Sequence, residues 1–318
     1  MKKLILLLSG CLTGMPVLAQ LAVGNPEYDP FSDASTGGGT TYVTGSNLAG
    51  QTSASYAAYN SSGQAWYELG PNVGSGGTYS QPTIVAGDLS VPGLAFAGGG
   101  QSVAFGGNGD SARMNLTTGT GGITSGTVYF SFALQLTDLT GLTTAGTYWA
   151  GFNNVQSQNS STATPTTIVS RVMTRSAAGG FNIGIQEGSS GTLGNAAWDN
   201  TVFTTADTLF VVGCYTFNPL TGDDVSQLWV DPNASTFGSA TAPTADLSSS
   251  GGTDIARIAS FMLMDRAANE PAGGLLDDLR VGLDWADVTP VGTPEPSTGA
   301  LGLALALTGL FFARFRRK

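Results

Sequence analysis

The chain has 318 residues, of which 46 are glycine and only 11% are charged, and it contains no histidine. The absence of histidine excludes Ser-His-Asp and Cys-His catalysis as well as histidine-ligated metal sites. Between residues 20 and 293 there are six arginines, no lysine and 21 acidic residues, a net charge of −15. This charge excludes nucleic acid as a partner, because phosphate contacts require a basic surface.

The first 20 residues have the pattern of a cleaved secretory signal. A basic start at residues 1–3 precedes an apolar run at residues 4–8, and small or tolerated residues end at Ala19. We therefore expect residues 1–19 to be a signal peptide that is cut between Ala19 and Gln20. Residues 8–11 also match a lipobox that would lipidate Cys11, but only five apolar residues precede that cut, fewer than the usual run of about 7–15.

Short strands separated by glycine-rich turns are predicted along residues 20–290. The first are expected at 65–69, 83–89 and 93–96, and a hairpin turn at 106–110. Residues 127–136 show the clearest period of two, with Val128, Phe130, Phe132, Leu134 and Leu136 on one face. Further strands are expected at 148–152, 168–174, 181–186, 208–217, 225–230, 254–265 and 275–281. Because no amphipathic helix pattern appears in this region, the sequence predicts an all-β sandwich.

Cys214 is the one cysteine between residues 20 and 293, so no disulfide can form within that region. It lies in an apolar run of residues 210–215, which predicts a buried thiol. Catalysis by this cysteine would need an activating base, and no histidine is present to supply one.

Several short motifs resemble the LamG-like, concanavalin A-like jelly-roll domains. They lie at residues 129–132, 215–217, 223–232, 277–282 and 285–288, so the resemblance is strongest over residues 125–288. It implies a jelly-roll β-sandwich for residues 20–290. That superfamily includes lectins, glucanases and structural modules, so a structural or adhesive role and a carbohydrate-binding role both stay open.

A carbohydrate site requires an aromatic platform and a few amides on one sheet face. If Tyr148 faces the core, strict alternation places Trp149 and Asn153 on the other face, with Gln186 from a later strand. These three residues are the predicted ligand-binding set, with a polysaccharide as the candidate partner. In the alternative interpretation, Trp149 packs beneath the loop at residues 153–165.

Two pairs of adjacent aspartates are candidates for a structural calcium, since hard cations prefer clustered oxygens. The pairs are Asp223 with Asp224 and Asp277 with Asp278. Neither lies in a loop with the spaced ligands of an EF-hand, so the competing expectation is a turn and a solvated strand end. No other cofactor is expected.

Glycoside hydrolysis requires two carboxylates about 5–9.5 Å apart. The glutamates of the predicted sandwich are widely separated in sequence, and no glucanase-type Glu-x-Asp-x-x-Glu strand is present. Glu187, at a strand end, is expected to be a solvated turn residue. We therefore expect no catalytic residues and no enzymatic activity.

The last 26 residues contain three blocks in a fixed order: Pro294-Glu295-Pro296, an apolar run at residues 299–313, and a basic end. Fifteen helical residues span roughly 22 Å, which is short for a hydrocarbon core of about 30 Å. The terminal cations favour a cytoplasmic end, which places the preceding chain outside.

This arrangement resembles the PEP-CTERM sorting signal of Gram-negative bacteria. The resemblance covers residues 293–318 and implies recognition of Pro294, Glu295 and Pro296 by an exosortase-type membrane protease. It also implies a transient inner-membrane anchor, followed by release to the cell surface or extracellular matrix. A permanent C-terminal anchor is the alternative.

Overall fold

A computed structural model describes residues 21, 27–31, 42–51, 65–71, 80–95, 100–116, 121–157, 159–162, 167–188 and 194–292. In chain order the strands are β1 (Glu27–Asp29), β2 (Trp66–Leu69), β3 (Thr83–Ala86), β4 (Gln101–Phe105), β5 (Ser111–Asn115), β6 (Gly126–Asp138), β7 (Thr147–Asn153), β8 (Ile168–Ala177), β9 (Gly180–Gly188), β10 (Ala197–Trp198), β11 (Leu209–Phe217), β12 (Val225–Val230), β13 (Leu247–Ser250), β14 (Ser260–Leu263) and β15 (Gly273–Gly282). One short helix, α1 (Trp285–Val288), follows β15.

These strands form two antiparallel sheets, so the predicted all-β, jelly-roll-type sandwich is confirmed. The first sheet has the order β13-β12-β11-β6-β15-β4-β3, and β1 also pairs with β15. The second has the order β10-β9-β8-β7-β14-β5-β2. At one edge of the sandwich, β13 of the first sheet contacts β9 and β10 of the second.

The main core lies between the sheets, and β6 shows how the sequence builds it. Its predicted apolar face, Val128, Phe130, Phe132, Leu134 and Leu136, is wholly buried in this core. On the adjacent strand, Gly213 leaves room for the ring of Phe130, since a Cβ there would lie 2.2 Å from Cζ of that ring. The period-two pattern therefore identified the buried face correctly.

A second apolar cluster covers the outer face of the first sheet. Cys214 on β11 belongs to this cluster and is buried, as the sequence predicted. Trp229 on β12 packs edge-to-face against Trp285 of α1, with ring centroids 5.1 Å apart. The indole of Trp285 also donates a hydrogen bond to the backbone oxygen of Thr236 at 2.8 Å. Because both faces of β11 are covered, its continuous apolar sequence is explained.

The strand boundaries differ from the prediction in several places. β1, β4, β5, β10 and β13 were missed, and residues 93–95 form only a single bridge, between Leu94 and Val291. The strand expected over residues 254–265 is limited to β14. Within the described part of the chain, no helix has the length and apolar character needed to cross a membrane.

Candidate functional site

The predicted role of Trp149 as an exposed platform is wrong. Its side chain is wholly buried in the main core, where it stacks on Phe105 with ring centroids 4.7 Å apart and an interplanar angle of 22°. It also contacts Phe132, with centroids 5.8 Å apart. A ring enclosed in this way presents no face to a ligand.

The reason is an irregularity of β7 that strict alternation does not anticipate. The register of β7 against β8 shifts between Tyr148 and Ala150 and again between Ala150 and Phe152. As a result Trp149, Ala150 and Phe152 all belong to the main core, whereas Tyr148 packs against a separate small cluster. β-Bulges redirect side chains in this manner.

Asn153 and Gln186 are also engaged inside the protein. Asn153 donates to the backbone oxygen of Thr167 at 2.6 Å and accepts from the N–H of Val155 at 2.9 Å. The side chain of Gln186 bonds to Arg171 at 3.1 Å and to Asn195 at 2.8 Å. Both residues are buried, and the structure does not bring them together with Trp149 into one open surface.

A polar groove lies instead where the edge strands of the two sheets approach each other. It has a volume of about 690 Å³, and its walls are formed by Trp198, Asp199, Asn200, Thr201, Val230, Asp246 and Leu247. Trp198 ends β10, and residues 199–201 follow it. Val230 ends β12, and Asp246 and Leu247 lie at the start of β13. The groove is therefore built from both sheets.

The indole of Trp198 is half-buried and lies across the second sheet. Trp198 pairs with Gly184 on β9, and a Cβ at Gly184 would lie 2.7 Å from the indole Cε3. A Cβ at Gly146 would lie 2.5 Å from Cη2, so two glycines make room for the ring. The guanidinium of Arg175 lies 4.6 Å from the ring centroid. These contacts fix the ring at the wall of the groove.

The polar groups of the groove are held by local hydrogen bonds. The N–H of Thr201 donates to Oδ1 of Asp199 at 2.8 Å, and the N–H of Val230 donates to Oδ2 of Asp246 at 2.9 Å. Arg175 donates to Oδ1 of Asn200 at 3.3 Å. Among the described residues, the other oxygen of each aspartate and the amide nitrogen of Asn200 have no hydrogen-bond partner in the protein. Positioned acceptors and a donor therefore face the groove beside an aromatic ring.

The predicted metal site at Asp277 and Asp278 is not supported. Asp277 accepts from the N–H of Leu89 at 2.9 Å and from that of Asp278 at 2.8 Å, and burial raises the pKa of Asp277 to about 8. Asp278 accepts from the hydroxyl of Tyr28 and forms an ion pair with Arg280 at 3.6 Å. A bulge in β15 between Asp277 and Arg280 brings these groups together. The guanidinium of Arg280 therefore already balances the charge of Asp278.

Asp223 and Asp224 do take part in an acidic cluster, together with Asp254, which the sequence did not indicate. One carboxylate oxygen from each of the three lies within 4.8 Å of the others. In the part of the chain that the structure describes, this is the one group of three or more potential metal ligands. Asp254 comes from the segment after β13, far from the other two in sequence, and therefore left no local motif.

Glu187 lies beside this cluster and is not the solvated turn residue that was expected. Its side chain is wholly buried, and Oε2 accepts from the N–H of Gly252, two residues before Asp254. Burial raises the pKa of Glu187 to about 7, and the charges of Asp254 and Asp224 also raise it, whereas the Gly252 bond and the charge of Arg171 lower it. A fourth carboxylate therefore adjoins the three aspartates.

The described glutamates lie mostly inside the protein. Glu27, Glu187 and Glu270 are buried. Glu68 accepts a hydrogen bond from the side chain of Gln81, and burial, followed by the negative charge of Asp110, raises the pKa of Glu68. Since Asp110 is itself buried, this pair is not placed on both sides of an accessible ligand.

The predicted targeting residues, Ala19 and Gln20 at one end and Pro294, Glu295 and Pro296 at the other, lie outside the described residues.

No protein family profile matches the chain, and no curated protein matches it. Among solved structures, similarity is found to an endo-β-1,4-glucuronan lyase from the fungus Trichoderma reesei, with 12% identity and a TM-score of 0.38, covering 72% of this chain and 98% of the lyase. The globular domain of Trypanosoma cruzi calreticulin matches with 10% identity and a TM-score of 0.41, covering 80% of this chain and 95% of that domain. A carbohydrate esterase of bacteriophage phi24B matches with 13% identity and a TM-score of 0.38, covering 71% and 95%. At this level of similarity no activity is carried over to the present chain.

Proposed function

We propose that this chain is an exported surface or matrix protein with a structural or adhesive role, whose β-sandwich binds carbohydrate without cleaving it. One observation carries the binding part of the proposal. The half-buried indole of Trp198 lines a groove in which Asp199, Asn200 and Asp246 each have a polar atom without a hydrogen-bond partner among the described residues.

This combination suits a sugar ring, which has apolar C–H faces and hydroxyl groups around its rim. An aromatic ring packs against the apolar face, and a few fixed polar groups determine its orientation. The two aspartates accept hydrogen bonds from sugar hydroxyls, and the amide of Asn200 donates one. Because the groove and the chain as a whole are acidic, uncharged or amino sugars fit better than uronic acids or sulfated sugars.

The test is binding to a glycan array and to insoluble polysaccharides by the wild-type chain and by Trp198→Ala. Tyr148→Ala is the matched control, because Tyr148 is also a partly buried aromatic with a guanidinium over its ring, 4.2 Å away, but it lies outside the groove. We expect Trp198→Ala to lose affinity by about tenfold, since stacking on an aromatic ring contributes about 0.5–1.5 kcal/mol beyond the area that it buries. Unchanged binding by Trp198→Ala, or an equal loss in Tyr148→Ala, contradicts the assignment of the groove.

The absence of cleavage is tested separately by measuring new reducing ends on any polysaccharide that binds. We expect none, because Glu68 is hydrogen-bonded to Gln81 and the neighbouring Asp110 is buried. Release of oligosaccharides that stops in Glu68→Gln would instead identify the chain as a glycoside hydrolase.

The export part of the proposal is supported by the sequence of the two ends. Mass spectrometry of the protein from its native cells is expected to find a mature N-terminus at Gln20 and a C-terminus near Pro294-Glu295-Pro296. A full-length chain with an intact tail in the soluble cytosolic fraction would contradict this.

A further inference from the structure

We infer that Asp223, Asp224 and Asp254 form a calcium site at one end of β13, with the buried side chain of Glu187 from the second sheet beside it. The three aspartates supply one oxygen each within 4.8 Å of one another. Two ligands on opposite sides of a calcium ion, each about 2.4 Å from it, are separated by about 4.8 Å. All three oxygens are therefore within reach of one ion.

A second observation points to a ligand at this place. The side chain of Glu187 is wholly buried, and within the described residues its Oε1 makes no hydrogen bond. Oδ1 of Asp223 is likewise buried and lacks a partner in the same part of the chain. A buried carboxylate oxygen without a donor is costly, so two of them at one site indicate a missing positive partner.

The charge of Arg171 acts on Glu187, but no ion pair between a protein cation and the three aspartates is found among the described residues. The ion pairs among the described residues join Arg266 to Glu270 and Arg280 to Asp278, and neither involves the cluster. The two carboxylate oxygens of Asp224 accept hydrogen bonds from neutral donors instead. The hydroxyl of Tyr215 donates to Asp224 at 2.5 Å, and the N–H of Asn218 donates to the same carboxylate at 2.6 Å. These bonds orient the carboxylates but do not balance their charges.

The ligand chemistry favours calcium over other metals. The site offers only carboxylate oxygens, and the buried Cys214 belongs to a different cluster. Hard oxygen ligands suit calcium or magnesium, and a set drawn from two separate loops suits the flexible geometry of calcium better than a strict octahedron.

The position of the site gives the ion a structural role. Glu187 is on β9 of the second sheet, whereas Asp223 and Asp224 precede β12 of the first sheet and Asp254 follows β13. An ion bound to the three aspartates links the loops that precede β12 and follow β13, next to Glu187 on the facing sheet. The groove of Trp198 lies at the other end of β13, so this inference does not depend on carbohydrate binding.

The experiment uses the purified full chain, stripped with a chelator and titrated with CaCl2 and MgCl2 by calorimetry and by thermal unfolding. We expect one calcium per chain with a dissociation constant between about 10⁻⁵ and 10⁻³ M, and weaker binding of magnesium. Saturation with calcium is expected to raise Tm by about 5 °C or more. Terbium luminescence gives an independent readout, because the ring of Tyr215 contacts Asp224 and can sensitise a bound lanthanide.

The diagnostic variant is Asp254→Asn, which keeps an acceptor for the N–H of Gly222 but removes a charge. Asp223→Asn is a second variant at the more exposed edge of the cluster, and Asp138→Asn is the control, since Asp138 is an exposed turn residue elsewhere. We expect both cluster variants to lose calcium affinity by about tenfold or more and the control to keep it. Absence of saturable calcium binding by the wild type, or unchanged affinity in both cluster variants, overturns the inference.

Discussion

Trp149 and Trp198 provide a direct contrast between a structural and a functional tryptophan. Trp149 is wholly buried and stacked on Phe105, with no open face. Replacing such a residue with alanine removes its contacts and leaves a cavity, which typically costs about 3–5 kcal/mol of unfolding free energy. Loss of the aromatic stacking alone accounts for about 1 kcal/mol of this.

Trp198 is only half-buried, so we expect Trp198→Ala to cost about 1 kcal/mol of stability. The measurement is urea unfolding of both variants and the wild type, followed by circular dichroism, with the m-values compared to confirm a common transition. Trp149→Ala is expected to be much less stable, and its glycan binding should match that of the wild type wherever it remains folded.

Two results would refute this reasoning. A cost below about 1 kcal/mol for Trp149→Ala would show that the ring is not packed in the core. Loss of glycan binding in Trp149→Ala without loss of stability would restore its role as a ligand platform.

Three further outcomes are expected. Burial raises the pKa of Asp29 from 3.8 to about 6 although Trp66 and Tyr42 donate to it, so the folded state holds a proton that the unfolded state releases. Stability should therefore fall by about 3 kcal/mol as pH rises from about 4 to above 6, and Asp29→Asn should reduce this slope in pH-dependent unfolding. Gly213→Ala places a methyl group against Phe130 and should cost about 1–3 kcal/mol, partly restored by adding Phe130→Leu. Burial raises the pKa of Cys214 to about 12, so peptide mapping after iodoacetamide treatment should find this thiol alkylated only in the unfolded chain.

The sequence was sufficient for the class of fold because the pattern of β6 is regular. Its alternation identified the buried face, and the apolar run around Cys214 correctly indicated a buried thiol. Each of these two predictions depends only on the order of residues within one strand, so the local sequence was enough to make it.

The candidate site was harder to predict from the sequence, because it depends on irregular backbone and on contacts between residues that are far apart in the chain. The bulges of β7 turned Trp149 inward, and Gly151, which lies within the second of them, was the one local signal for this irregularity. Asp254 joins Asp223 and Asp224 only after the strands have paired. Trp198 did carry a local signal, an aromatic residue followed by Asp199, Asn200 and Thr201, but its strand has only two residues and gives no periodicity.

The most direct test of the binding site is a crystal structure of the protein with the oligosaccharide that binds best on the glycan array. We expect a sugar ring packed against Trp198, with hydroxyl groups bonded to Asp199 or Asp246, in the groove between β10 and β13. A sugar bound at another surface, or no ordered sugar at a saturating concentration, would contradict the proposed carbohydrate site.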